Sequence, residues 1–183
     1  MRQRQHGFTL IELIVVIVIL AILAAVAMPR MVGLTRDARI AKLNAARGAV
    51  TATSALVHAT ILARSGVADT TACADGITAN NSSGATGTVC TESGTIHVVW
   101  GYPDVTGIGT PGLLSAAGLT TVFNPSEVDL AAEGYGYAVN GAANVATFSV
   151  VGAPTPATCF FTYTEAVAPN NAPVISAVTT TGC

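Results

Sequence analysis

The sequence predicts an α+β fold in which one long N-terminal helix, transmembrane in its first half and amphipathic in its second, packs on a roughly four-stranded antiparallel sheet. Three observations carry that prediction. Residues 8–28 are apolar except for Thr9 and Glu12. A helix-period stripe of apolar residues then continues to about residue 64. Beyond it the pattern changes to short β-branched and aromatic runs, punctuated by Gly, Asn and Pro. With 183 residues, 51% of them hydrophobic and 10% charged, the chain has room for one compact domain plus an appendage, and it is too apolar for disorder.

The first element, Phe8 to Met28, would span about 31 Å as a helix, enough to cross the hydrocarbon of a bilayer. Pro29 follows, where a lost hydrogen bond and a crowded preceding turn predict a kink. In the stem, residues 30–64, Leu43, Ala46, Val50, Val57 and Ile61 share one stripe, and Arg36, Arg39, Lys42 and Arg47 supply a polar side. The head begins at 65. Residues 68–94, rich in Gly, Ser, Thr and Asn, read as a long surface loop. Strands are expected at 95–100, 134–139, 145–151 and 158–164, with a weaker candidate at 173–178, and "VNGAANVA" as the turn between the second and third. Two short helices should lie between the first two strands. One is capped by Thr110 with Pro111 in first position, the other by Asn124 with Pro125 first and Glu127 third.

The charges divide by position. Residues 30–64 carry six basic side chains and one acidic, a net of +5, whereas residues 65–183 carry eight acidic side chains with no Lys or Arg, a net of −8. An acidic head repels phosphate backbones, so nucleic acid is excluded as a partner of that half. A basic stem beside an acidic head also invites copies to stack, although acidic residues equally keep an exported domain soluble. The four cysteines, Cys73, Cys90, Cys159 and Cys183, form no C-x-x-C pair, and the head holds one histidine, His97, so neither a zinc site nor another cofactor is expected. Two disulfides are, and of the three connectivities Cys73–Cys90 with Cys159–Cys183 closes the shortest loops.

Glu12 is the anomaly of the apolar run. A carboxylate inside a spanning helix needs a partner, and no basic side chain lies between His6 and Arg30. Cleavage between Gly7 and Phe8 would create one: the new amine of Phe8, a helical turn away. Pairing that amine with Glu12 of another copy would set the axial register of an assembly. An ordinary secretory signal, cut after Ala27 in "AVA", is the competing reading and makes Glu12 incidental.

"GFTLIEL" behind a short basic leader, followed by an apolar helix, resembles the class III signal of type IV pilins. The resemblance implies a ladle-shaped fold, a leader of residues 1–7 removed after Gly7 by a prepilin peptidase, N-methylation of Phe8, filament assembly guided by Glu12, and a bend at Pro29. It further implies an inner-membrane precursor in a Gram-negative bacterium, an assembly platform with its ATPase, an outer-membrane secretin, and an extracellular homopolymer. "WGYPDVTGIGTPGLLSAAGL", "ATCFFTYTEA" and the final "TTGC" resemble the heads of pilins of the mannose-sensitive haemagglutinin type (MSHA). These are major subunits of pili for attachment and biofilm formation, in which Cys159 and Cys183 match the pair pinning the C-terminal segment. The alternatives are a type II secretion pseudopilin and, from another class, a secreted soluble carbohydrate-binding protein.

Other constellations read as structural. His97, Trp100 and Asp104 lack a nucleophile or metal set at useful spacing, so no enzyme is expected. Glu127, Asp129 and Glu133 fit an acidic capped helix better than a calcium site. Trp100, Tyr102, Tyr135 and Tyr137 are expected to serve sheet packing more than sugar stacking.

Overall fold

The computed structural model describes residues 8–64 and 66–183, with the side chains of 29–32 outside that description. The leader and Gly7 lie outside the described residues, as does the Pro29 side chain on which the expected kink rests. The first helix, α1, runs from Leu10 to Arg64, 55 residues. Two compact units divide the chain. The first ends at Ala38, and the second, Arg39–Cys183, joins the last half of α1 to everything after it.

In the second unit the fold is α+β, with antiparallel sheets packed on the helix. Its sheets are two, where one was expected. The four-stranded sheet has the order β4-β5-β6-β7, built from Tyr135–Asn140, Val145–Val150, Phe160–Thr164 and Val174–Ile175. The first expected strand belongs elsewhere, as β2 (Gly94–Val99) of a three-stranded sheet with β1 (Gly87–Thr91) and β3 (Tyr102–Pro103). β1 falls inside the stretch expected to be loop. Its composition hides the strand, yet Thr91 faces Gly94 across a two-residue turn, and Val89, opposite Ile96, is 1% exposed.

The apolar stripe of α1 explains why there are two sheets. Leu43, Ala46 and Val50 enter one core with Phe148, Phe161 and Tyr163, whereas Val57 and Ile61 enter another with Val89, Ile96 and Val98. The stripe meets the larger core over residues 43–50, about two turns, and the smaller core over residues 57–61, little more than one. The stacked rings of Phe148 and Phe161, 4.9 Å apart, fill the larger core.

The short helices start later than expected. α2 spans Leu113–Ala117 with Gly112 as N-cap, because the backbone before it is drawn into a turn by Thr106 Oγ1 donating to Thr110 O at 2.7 Å. α3 spans Glu127–Ala132 with Ser126 as N-cap and Asp129 completing a capping box, while Asn124 Nδ2 donates instead to Gly109 O at 2.8 Å. Serine with an acid three residues on outcompetes Asn-Pro, since it satisfies two orphan donors rather than one.

Four of the six stem cations bond residues of their own head. Arg39 Nη1 donates to Cys183 O at 2.8 Å, Arg47 Nε to Ser176 O at 2.7 Å, and Lys42 Nζ to Glu133 O while lying over the Tyr135 ring. Arg64 bonds Asp69 at 3.0 Å and Asn81 at 3.1 Å. These four side chains fasten α1 to its own head, through carbonyls more than carboxylates. Cys73–Cys90 and Cys159–Cys183 are both bonded, with Cα atoms 5.6 and 4.9 Å apart.

Candidate assembly site at the start of the long helix

The N-terminal segment of α1 is apolar and uncovered. Phe8 is 92% exposed, and every residue from 8 to 28 is exposed. Among the described residues this is the one helix long and apolar enough to cross a membrane.

Glu12 opens that helix in a specific geometry. Thr9 is the residue before the first helical position, and its N–H and Oγ1 donate to Glu12 Oε2 at 2.9 and 2.7 Å. In return Glu12 N–H donates to Thr9 Oγ1 at 3.3 Å. This reciprocal pair is a capping box, in which a hydroxyl residue and an acid three positions on satisfy donors that the first turn leaves orphaned. The sequence shows Thr9 as a polar exception but not as a cap, although "TLIE" carries the T-x-x-E signal of one. One carboxylate oxygen is thus committed to the cap. Oε1 takes part in no hydrogen bond among the described residues, and the site is open to solvent.

The geometry is that of a carboxyl group held by a cap at the start of an exposed apolar helix. Residues 2–28 match the prokaryotic N-terminal methylation motif. No curated protein and no solved structure matches the chain. The methylation motif supports a type IV pilin-like or pseudopilin-like subunit, a structural class, processed by a prepilin peptidase and passed to pilus assembly machinery. It covers Phe8, Thr9 and Glu12 and leaves the head unassigned.

In the head, Asp104 N–H donates to His97 O at 3.1 Å, which sets these two residues side by side where β2 meets the chain after β3. Tyr163 and Tyr137 donate their hydroxyls to Pro103 O at 3.0 Å and Thr106 O at 2.9 Å, and Tyr102 stacks on His58 at 4.0 Å. Asp129 is spent on its capping box, and Glu133 caps the end of the same helix. Asp69, Cys73 and Cys90 cluster closely enough for a metal, but both sulfurs belong to a disulfide and offer no thiolate. His97 is exposed on β2.

Glu165 was overlooked, and a buried acid in a loop leaves no periodic signal. It is 8% exposed, and Oε2 accepts from Val105 N–H at 3.0 Å. Burial pushes its carboxyl up to about 7, with neighbouring Asp104 adding to the rise and the Val105 N–H opposing it. Glu165 follows β6 and Val105 follows β3, so this bond joins the two sheets beside the Tyr163 and Tyr137 links.

Proposed function

We propose that this protein is a major structural subunit of a type IV pilus of MSHA type. It is inserted in the inner membrane of a Gram-negative bacterium, cut after Gly7, methylated at Phe8 and polymerised into an extracellular filament for surface attachment and biofilm formation. The observation that carries the reading is the capped Glu12 at the start of a wholly uncovered apolar helix, inside the methylation motif. Membrane lipid covers that helix before assembly, and neighbouring copies cover it afterwards.

Glu12 has two tasks on this reading. Oε2 closes the helix start through Thr9, and Oε1 is left to take the Phe8 amine of another copy, which neutralises both charges only in one axial register. Pro29 bends the stem between its membrane and head halves. The MSHA assignment rests on the resemblance of the head segments around Trp100–Leu119 and Ala157–Ala166 together with the Cys159–Cys183 closure.

A type II secretion pseudopilin shares the motif and differs in the product: sparse, short fibres where a pilin makes long ones. The deciding experiment is intact mass and N-terminal sequencing of material sheared from native cells, with electron microscopy of the same fraction. Long fibres whose chains begin at N-methylated Phe8 are expected. Soluble chains beginning at Met28 would replace the filament by a secreted protein with a discarded signal.

A further inference from the structure

The hairpin between β4 and β5 starts at Asn140, the last residue of β4, which pairs with Val145. Of the eight asparagines in the chain, Asn140 alone precedes a glycine. The amide nitrogen of a glycine is the least hindered nucleophile that a neighbouring carboxamide can meet, because no Cβ shields it. Around Gly141 itself, a built Cβ would find nothing within 4 Å. Asn140 and residues 141–144 are all exposed. Among the described residues no hydrogen bond engages the Asn140 carboxamide, and the turn is closed by Ala143 N–H donating to Asn140 O at 3.1 Å. The Asn140–Val145 pair is the end of its ladder, where local opening costs least.

We propose that Asn140–Gly141 is a site of spontaneous deamidation. The Gly141 nitrogen, on losing its proton to solvent base, attacks Asn140 Cγ. The new N–C bond closes a succinimide, and the carboxamide nitrogen leaves as ammonia. Water then opens either carbonyl of the ring, giving aspartate or isoaspartate. No oxidant or enzyme is needed, and the net change is NH₂ for OH with one carboxylate gained at neutral pH.

The other glycine-adjacent candidate in the head shows what protection looks like. Asp75 precedes Gly76, but its carboxylate is held by Thr95 N–H at 2.7 Å, Thr95 Oγ1 at 3.1 Å and Ile77 N–H at 3.1 Å. Its would-be nucleophile, Gly76 N–H, donates to Cys73 O at 2.9 Å. Electrophile and nucleophile are both tied down there, and neither is at Asn140.

The two strands beside the new charge carry none of their own, although Glu127 of α3 borders the same face at Gly136 and Ala138. Facing away from the core, β4 presents Gly136, Ala138 and Asn140, and β5 presents Val145, Thr147 and Ser149, none of them charged. In a fibre of identical subunits, the reading proposed above, an ageing filament would gain one carboxylate per modified subunit on this face. The chemistry does not depend on that reading.

The test is timed incubation of the purified full-length protein in detergent micelles at neutral and mildly alkaline pH, followed by intact mass and chymotryptic mapping. No Lys or Arg follows Arg64, so trypsin leaves the head whole, whereas chymotrypsin can release the segment between Tyr137 and Phe148. The expected result is a gain of about one mass unit confined to that peptide, faster at alkaline pH, split between aspartyl and isoaspartyl forms, and strongly slowed in Gly141→Ala. An unchanged 138–148 peptide while other asparagines convert, or Gly141→Ala converting at the wild-type rate, would overturn the proposal.

Discussion

At residue scale, Thr9 and Glu12 separate two roles that a single deletion would merge. Glu12→Gln keeps an acceptor for Thr9, since Glu and Gln both complete a capping box, but removes the charge. Thr9→Ala keeps the charge and removes the cap, at a cost typical of caps, about 1 kcal/mol. If Glu12 acts through charge pairing, Glu12→Gln should yield cleaved, membrane-bound chains with few or no filaments, while Thr9→Ala should still polymerise. Counting fibres by electron microscopy, with immunoblots for processing, checks both; abundant fibres from Glu12→Gln would leave the carboxylate only its capping role. The anomaly of Glu12 was legible in the sequence because an acid in an apolar run stands out. The capping role of Thr9 was not read because a threonine there costs little and the acid beside it is the larger anomaly.

At the scale of elements, the seam between the two sheets is held by Tyr163, Tyr137 and Glu165 reaching the backbone of residues 103–106. Glu165 makes this seam pH-dependent. Its carboxyl titrates near 7 when folded against an ordinary 4.5, so between those values the folded head binds more protons than the unfolded chain. Stability should therefore fall as pH rises from about 4.5 to 7 and level off above, by at most ~3 kcal/mol at about 1.4 kcal/mol per pKa unit. Asp75 and Asp129 are shifted downward by their hydrogen bonds, so their effects lie below this window. Thermal melts at pH 5 and pH 8 should differ in the wild type and converge in Glu165→Gln. The Cys159–Cys183 bridge, spanning 24 residues, closes the other end of the larger sheet. Chain-entropy arguments give it about 3 kcal/mol, so the double serine variant should melt well below the wild type under oxidising conditions and match it under strong reductant, where neither protein keeps a bridge. Strand periodicity revealed β4, β5 and β6, but β1 was masked by its Gly- and Thr-rich surroundings until Val89 was seen to be buried.

At the scale of the molecule, the division into two units predicts separable behaviour. Both hydrophobic cores draw on α1 only from Ile40 onward, and residues 8–28 bury nothing. Export of residues 39–183 alone should give a soluble monomer with both disulfides and a cooperative melt, and no fibres; circular dichroism and sedimentation would check this, and aggregation would show that the first unit is needed for the head to fold. The sequence by itself determined the apolar span, the stripe on α1, the α+β class and the methylation motif, because each is written in composition or in short periodic spacing. Only the tertiary structure decided that the strands form two sheets, that Arg39, Lys42, Arg47 and Arg64 bind their own head, and that Glu165 is buried at the seam. Those outcomes depend on which surfaces meet across long sequence separations, and a hydrogen bond between residues 60 or 144 positions apart leaves no local mark on either end.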